Sequence, residues 1–98
     1  MDCSFRTEIV RLIASGQAFD KPCLIYSLCG LGLATTTNQI DLYDGFSTSD
    51  IQIMSLVGTQ YLADFRSFPV PLFIKRGLYV DFATNADEFF VQLFEPGK

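Results

Sequence analysis

Apolar and polar side chains alternate along most of this chain, in short runs separated by Gly, Pro, Asn, Asp and Ser. Such alternation is typical of β-strands that rest one face on a core and turn the other face outward. In the clearest run, Gln39 to Tyr43, Ile40 and Leu42 are predicted to face the core. Asp41 and Tyr43 are then predicted to face outward.

The same run begins a predicted β-hairpin over residues 39–57. Asp44-Gly45 closes its first strand, because this dipeptide tolerates a positive φ. Phe46 to Asp50 forms the connecting loop, and Ile51 to Val57 resumes the alternation. The pattern therefore predicts two antiparallel neighbours in one sheet.

Further strands are predicted from the same signals. They cover Glu8 to Ser15, Pro22 to Leu33, Tyr61 to Phe68, Leu72 to Ile74, Leu78 to Phe82 and Glu88 to Phe94. The first of these also has apolar residues at helical spacing, so a helix is the alternative there. Pro69-Val70-Pro71 is predicted to end one strand as an extended, unpaired segment, because proline lacks an amide hydrogen. Pro22 to Leu33 is apolar on both sides and is predicted to be buried on both.

Turns are predicted at Ala34 to Asn38 and Thr84 to Asp87, and a turn or bulge at Arg76-Gly77. About eight short strands and no secure helix predict an all-β fold. The first choice is an antiparallel β-sandwich, jelly-roll-like in its arrangement, and a small β-barrel is the second. Residues 1–98 are expected to form a single domain, in which residues 1–15 are an N-terminal strand or arm.

Composition narrows the classes of function. Of the 98 residues, 49% are hydrophobic and 18% are charged, so the chain is expected to fold around one core. Seven Lys and Arg against eleven Asp and Glu give a net charge of -4, which argues against binding to nucleic acid. Neither a transmembrane segment nor a secretion signal is recognisable, so no membrane partner is expected.

Cysteine usage and the absence of histidine limit the redox and metal chemistry. Three Cys without a Cys-x-x-Cys pair favour a reducing compartment with free thiols over a disulfide framework. Cys23 and Cys29 are predicted to lie on the same side of one strand, too far apart to pair. Without His no usual zinc site can be assembled, and neither a metal nor a cofactor is expected.

The protein is predicted not to be an enzyme. Without His, neither a Ser-His-Asp nor a Cys-His arrangement can form. The aspartates stand mostly at strand ends and turns, where such side chains usually cap backbone N–H groups. Asp41 to Gly45 lacks the spacing of a calcium-binding loop.

Aromatic residues exceed what one small core needs, since the chain has ten Phe and four Tyr. If Phe89 fills the core, Phe90 and Phe94 lie on the opposite face of the last strand. One sheet is therefore predicted to carry an apolar outer surface for protein contact. The candidate interface residues are Tyr43, Met54, Tyr79, Phe90 and Phe94, and the candidate core residues are Leu42, Ile53, Val80, Val91 and Leu93. The alternative is that loops, the N-terminal segment or the second sheet cover these rings.

Three runs of the sequence carry a resemblance to a known family. They read KPCLIYSLCG, IDLYDGFSTSDIQIMSLVG and FPVPLFIKRGLYVDFATNADEFFVQLFEPG. They resemble the small β-sandwich virion proteins of tailed bacteriophages. The resemblance implies a capsid decoration (cement), head-fibre or tail-associated structural protein that works as an oligomer and has no catalytic residues. It also implies that the protein binds itself and other virion proteins, is located in the virion and is made in the host cytoplasm.

A second resemblance, to the hairpin of CUB domains, lies in Ile40 to Gly45 and Ile51 to Gly58. It implies a ligand-binding β-sandwich module with a glycan or Ca2+ near Asp41, Asp44 and Asp81. CUB domains are disulfide-linked, and the cysteine spacing here does not supply their bridges. A ligand-binding module is therefore the alternative to a virion component.

Overall fold

The protein is built from β-strands over the residues that the structure describes. The computed structural model describes residues 8–32, 37–59 and 63–95. Its eight strands are β1 (Glu8–Leu12), β2 (Gly16–Phe19), β3 (Cys23–Gly32), β4 (Thr37–Asp44), β5 (Ile51–Thr59), β6 (Ala63–Ile74), β7 (Leu78–Thr84) and β8 (Ala86–Phe94). The prediction of an all-β fold with about eight strands is confirmed.

The strands pair like one long hairpin that is folded back on itself. β1 pairs with β8, β2 with β7, β3 with β6 and β4 with β5, all antiparallel. Two further pairings, of β3 with β8 and of β4 with β7, join them into the four-stranded sheets β1-β8-β3-β6 and β2-β7-β4-β5. This is the strand order of a jelly roll, so the sandwich prediction is confirmed and the barrel alternative is not adopted.

The core fills the space between the two sheets. Its buried side chains are Cys23, Ile25, Leu28, Ile40, Leu42, Leu56, Ile74, Leu78, Val80, Phe89, Val91 and Leu93. All the predicted core residues are confirmed, although Ile53 is only partly buried against this cluster. Alternation predicted them correctly because β4, β7 and β8 each turn every second side chain toward the opposite sheet.

The strand predicted for Glu8 to Ser15 ends earlier, at Leu12, and the strand β2 that follows it was not predicted. β1 pairs with β8, whereas β2 pairs with β7 in the other sheet, so the chain crosses between the sheets at this point. The Ser15 hydroxyl holds the corner, because it accepts a hydrogen bond from the Phe82 N–H at 2.8 Å and donates one to Asp81 at 3.3 Å. Residues 1–7 lie outside the described ranges, and an N-terminal arm there stays a prediction.

Asn85 alone joins β7 to β8 at another corner between the sheets. The turn predicted for Thr84 to Asp87 is therefore too long, because the strands continue up to both sides of Asn85. Its φ of 46° lies in the left-handed region, which Asn enters more readily than most residues. Its side-chain amide also donates to the backbone carbonyl of Thr37 at 3.3 Å, which ties the corner to β4.

Other predicted connections are only partly described. Residues 33–36 lie outside the described ranges and include most of the turn predicted for Ala34 to Asn38. β4 already begins at Thr37, within the predicted turn. Residues 60–62 lie outside the described ranges and include the start of the strand predicted from Tyr61. The turn predicted at Arg76-Gly77 is confirmed as the link between β6 and β7.

β6 continues through Pro69-Val70-Pro71, so the prediction that this segment ends a strand is wrong. The pairing with β3 is nevertheless interrupted there, as predicted. The register skips from Ser67 to Leu72 on β6 but only from Ser27 to Ile25 on β3, and β6 carries a bulge. β6 lies at the edge of its sheet, and an edge strand tolerates proline because one of its sides pairs with no neighbour.

β3 turns one face to the core and the other outward, so the prediction of burial on both faces is wrong. Cys23 and Ile25 are buried, and a bulge at Tyr26 then shifts the alternation so that the next buried side chain is Leu28. Cys29 consequently lies on the face opposite to Cys23, contrary to the prediction.

Cys23 and Cys29 are thiols that are not joined in a disulfide. Burial, with smaller contributions from Asp44 and Glu95, raises the pKa of the Cys23 thiol to about 11. A thiol reacts as its thiolate, so Cys23 is inert at neutral pH. Cys29 is half-buried on the outer side of its sheet.

The predicted hairpin is confirmed as β4 and β5, and aspartates organise the loop between them. Asp44 accepts hydrogen bonds from the backbone N–H groups of Lys75 at 3.0 Å and Arg76 at 2.9 Å. Asp50 accepts one from the Phe46 N–H and one from Arg76 Nη1, both at 2.7 Å. These carboxylates cap backbone N–H groups, as predicted for aspartates at turns.

Gly45 fits this loop because a side chain there would collide with Asp50. A Cβ at Gly45 would lie 2.2 Å from the Asp50 carboxyl carbon. Its own N–H donates to the carbonyl of Gly77 at 2.8 Å, and its carbonyl accepts from Gln17 Nε2 at 3.0 Å. The loop is thereby attached to both β2 and the turn before β7.

Asp50→Asn is expected to remove an acid-sensitive part of the stability. The hydrogen bond from the Phe46 backbone and those from Arg76 hold the pKa of Asp50 below its ordinary 3.8, although burial opposes them. A lowered pKa stabilises the folded state above the ordinary value, and this contribution is lost as the pH falls through the folded-state pKa. The melting temperature of the parent should therefore fall more steeply below about pH 4 than that of Asp50→Asn, in thermal unfolding followed by circular dichroism.

The matched control is Asp20→Asn, at an exposed aspartate. It should follow the parent throughout the same pH series. If Asp50→Asn also follows the parent, the carboxylate does not stabilise the loop in the way described.

Candidate interaction surface

The outer side of the β1-β8-β3-β6 sheet carries a broad set of apolar side chains. Phe89, Val91 and Leu93 fill the core. Alternation along β8 therefore turns Phe90 and Phe94 outward. We name the surface around them the aromatic face. It comprises Ile9, Leu24, Ser27, Cys29, Phe65, Ser67, Phe73, Phe90, Gln92 and Phe94, which the strand registers bring side by side.

Much of the aromatic face is open to solvent. Ile9 is 72% exposed, Phe65 64% and Phe73 56%. Phe90 and Phe94 are half-buried, because β8 lies inside the sheet with a neighbour on each side. A shallow depression has Ile9, Phe65 and Phe90 in its wall. Clustered exposed apolar side chains of this kind mark association surfaces.

Ion pairs border the aromatic face at both ends of β8. Arg11, in register with Phe90, lies 2.6 Å from Glu88. At the other end, Lys21 Nζ lies 3.8 Å from Glu95. Exposed pairs of this kind contribute about 0–1 kcal/mol to stability, so their main effect is a polar border without net charge.

The outer side of the β2-β7-β4-β5 sheet is mostly polar instead, although its edge strand β5 exposes Val57 and, at its start, Ile51. Asp41 is only 8% exposed, and its Oδ1 accepts hydrogen bonds from Gln39 Nε2 at 2.8 Å and Ser55 Oγ at 2.6 Å. Asp81 stands beside Asp41 in the register of β4 and β7 and accepts from Ser15. These partners belong to the same chain, so the polar groups of this face are already engaged with one another.

Tyr43 lies on this outer, polar side, as its position in the alternation predicts, but its side chain is only 9% exposed and is not available for contact. The ring of Tyr79 covers it, with the ring centroids 6.5 Å apart and the planes tilted by 56°. Burial, with smaller contributions from Asp41 and Asp81, raises the pKa of the Tyr43 hydroxyl. Tyr43 is thus a neutral packing residue of the sheet.

The remaining candidate interface residues are divided between the two sides of the sandwich. Met54 is partly buried against the core, in register with Leu42. Tyr79 is half-buried on the polar side, whereas Phe90 and Phe94 lie on the aromatic face. The candidates therefore do not share one surface, and a contact role for Phe90 and Phe94 stays a prediction.

Pattern reasoning missed the most exposed members of the aromatic face, which are Ile9, Phe65 and Phe73. The signal for Phe65 is present, because the alternation from Tyr61 places it on one face of its strand. Its position beside Phe90 depends on β3, which pairs with β6 on one side and β8 on the other. Such neighbours are set by tertiary pairing rather than by local pattern.

The contacts of the aspartates offer nothing in favour of a glycan or Ca2+ site. Both carboxylate oxygens of Asp44 accept backbone N–H groups. Within the described ranges, no group of three His, Cys, Asp or Glu side chains is placed to hold a metal ion. The same ranges hold no helix with the length and hydropathy to cross a bilayer.

Comparisons with known proteins add little to this picture. No protein-family model and no curated protein matches the chain. Among solved structures, it is similar to the coat protein of Tobacco streak virus, at 12% identity over 100% of this chain and 92% of that chain, with a TM-score of 0.38. A TM-score this low carries no argument about either fold or function. The resemblance to tailed-phage virion proteins therefore stays a prediction.

Proposed function

We propose that this protein is a non-enzymatic structural component of a virion and that it assembles with copies of itself through the aromatic face. The observation that carries the proposal is the exposure of Ile9, Phe65 and Phe73 on one outer side of the sandwich. The opposite outer side is mostly polar and internally hydrogen-bonded, with exposed Val57 and Ile51 confined to its edge strand β5. A protomer with one apolar and one polar side gains most by burying the apolar side against a neighbour.

The fold is compatible with a structural role in a virion, but the fold alone does not identify the function. Jelly rolls of eight strands occur in viral capsid domains and also in lectins and cupins. Since one fold serves many functions, the aromatic face is the stronger support. The finer proposal is a capsid decoration, head-fibre or tail-associated protein of a tailed bacteriophage, made in the host cytoplasm. It depends on the resemblance of the three sequence runs, which also suggests other virion proteins as partners.

Apolar burial supplies the binding free energy in this proposal. It contributes roughly 25 cal/mol for each Å² removed from water. A standard interface buries about 800 Å² per partner, and the loss of rotational and translational freedom offsets much of the gain. A single contact between protomers is therefore of moderate strength, and many contacts in a shell reinforce one another.

Light scattering behind a sizing column tests the proposal, on purified protein with reductant at several concentrations. We expect a discrete oligomer, larger than the 11.0 kDa protomer, whose fraction rises with concentration. The reductant excludes disulfide-linked species. A monomer of 11.0 kDa at every concentration would contradict self-assembly.

A further inference from the structure

Rows of outward side chains cross the strands of the aromatic face. The registers of β8, β3 and β6 define them. The Phe90 row consists of Phe90, Cys29 and Phe65, the Gln92 row of Gln92, Ser27 and Ser67, and the Phe94 row of Phe94, Leu24 and Phe73. On these three strands, two apolar rows therefore flank a polar row. On β1, the Phe90 row continues to Arg11 and the Gln92 row continues to Ile9.

We propose that two copies pack aromatic face to aromatic face about a twofold axis along the Gln92 row. Phe90 of each copy then lies against Phe94 of the other, and the two Gln92 side chains meet at the axis. The inference rests on the proposed function, because it specifies the contact through which copies of the chain assemble.

The symmetry of the rows selects a second copy as the occupant. Residues 90–94 read Phe-Val-Gln-Leu-Phe, so their side-chain types are the same in either direction. On β8, β3 and β6, a half-turn about the Gln92 row exchanges the Phe90 row with the Phe94 row, and each meets a row of similar polarity. On β1, Ile9 then meets Ile9 of the other copy. An interface between identical subunits about a twofold axis requires this self-complementarity.

Other arrangements of two copies bring unlike groups together. A half-turn about an axis parallel to the strands sets β1 against β6, which places Arg11 against Phe65. A slip by one row places the Gln92 amide against a phenylalanine, so that it meets no polar group of the other copy. The arrangement about the Gln92 row avoids both conflicts.

The Gln92 row also provides polar contacts at the centre of the interface. Ser27 Oγ donates to Gln92 Oε1 at 3.1 Å within the protomer, which orients the carboxamide. A carboxamide carries N–H donors and an acceptor oxygen, so two Gln92 groups related by a twofold axis can pair with each other. Facing phenylalanines of the flanking rows can approach at the centroid distances of about 4.5–7 Å that aromatic pairs prefer.

Site-directed cross-linking tests the register. Gln92→Cys is introduced together with Cys3→Ser and Cys29→Ser, while the fully buried Cys23 is retained. The reagent is a bis-maleimide with a two-carbon spacer, because facing sheets lie about 10 Å apart, beyond the reach of a direct disulfide. We expect a denaturing-gel band at about twice the protomer mass of 11.0 kDa.

Matched variants in the same background make the test specific. Phe90→Cys alone should not cross-link, because the two equivalent positions are offset by roughly 13 Å along the strands at about 3.3 Å per residue. A mixture of Phe90→Cys and Phe94→Cys proteins should cross-link. Val57→Cys, at a side chain 51% exposed on β5 in the other sheet, should not.

The outcomes separate this inference from the proposed function. If light scattering shows oligomers but Gln92→Cys gives no cross-linked band, the twofold register is wrong and self-assembly stands. The same holds if Phe90→Cys alone cross-links as well as the mixture does. If light scattering shows monomers only, both proposals are overturned.

Discussion

Phe90→Asp is expected to dissociate the assembled protein into protomers that remain folded. Phe90 lies near the centre of the aromatic face, between Cys29 and Arg11 in the strand register. In an assembly its ring is buried, and a carboxylate in its place would lose its hydration, while the neighbouring Arg11 is already paired with Glu88. Central aromatic residues of interfaces typically contribute about 2–4 kcal/mol, so the dissociation constant should rise roughly 30- to 1,000-fold. Light scattering behind a sizing column measures this change.

Val57→Asp is the matched control for that experiment. Val57 is 51% exposed on β5, in the sheet that does not carry the aromatic face. This variant should assemble like the parent, and both variants should keep the parent's circular dichroism spectrum. Equal dissociation by the two substitutions would mean that added negative charge, rather than the aromatic face, controls assembly. If Phe90→Asp assembles like the parent, the face is not the interface.

Phe89→Ala is expected to cost the protomer about 3–5 kcal/mol of unfolding free energy, the range for removing a buried phenylalanine ring. Phe89 is 0% exposed and lies between the two sheets, in register with Leu12 and Gly30. Removing the ring leaves a cavity between the sheets. The neighbouring strands cannot close it fully, because the hydrogen-bond ladders of both sheets hold them in place. The midpoint of urea unfolding measures the loss, at concentrations where the protein is monomeric.

Phe90→Ala provides the comparison, since the same substitution is made one residue further along β8. Its side chain faces outward, so the protomer's unfolding free energy should fall by much less. If Phe89→Ala is too unstable to purify, Phe89→Leu should show a smaller loss in the same direction. Equal losses at the two positions would contradict the assignment of the inner and outer faces of β8.

Alternation along single strands was sufficient to predict the fold class and most of the core. In β8 it separates Phe89, Val91 and Leu93 from Phe90 and Phe94, because the extra residue of the bulge between β3 and β8 lies on β3 and leaves the alternation of β8 intact. In β3 it failed. That segment is apolar in both phases, so the sequence does not reveal the bulge that moves Cys29 to the outer side.

The candidate site was harder to predict because exposure depends on neighbouring strands. Tyr43 occupies an outward position in the alternation of β4, yet Tyr79 of β7 covers it. Phe65 and Phe73 are exposed because β6 has a neighbour on one side only. Local pattern assigns a side chain to a face of its strand, whereas the order of strands in the sheet decides how far that face is covered.

The prolines of β6 limit the ways in which copies of this protein can join. Pro69 and Pro71 stand on an edge strand, and neither has an amide hydrogen to offer to an incoming strand. The bulge around them also disturbs the regular spacing of hydrogen-bonding groups that a templated strand would need. A fibre that grows by continuing this sheet from molecule to molecule is therefore blocked at β6. Contacts through side chains on the faces are favoured instead, and such contacts can close into an assembly of finite size.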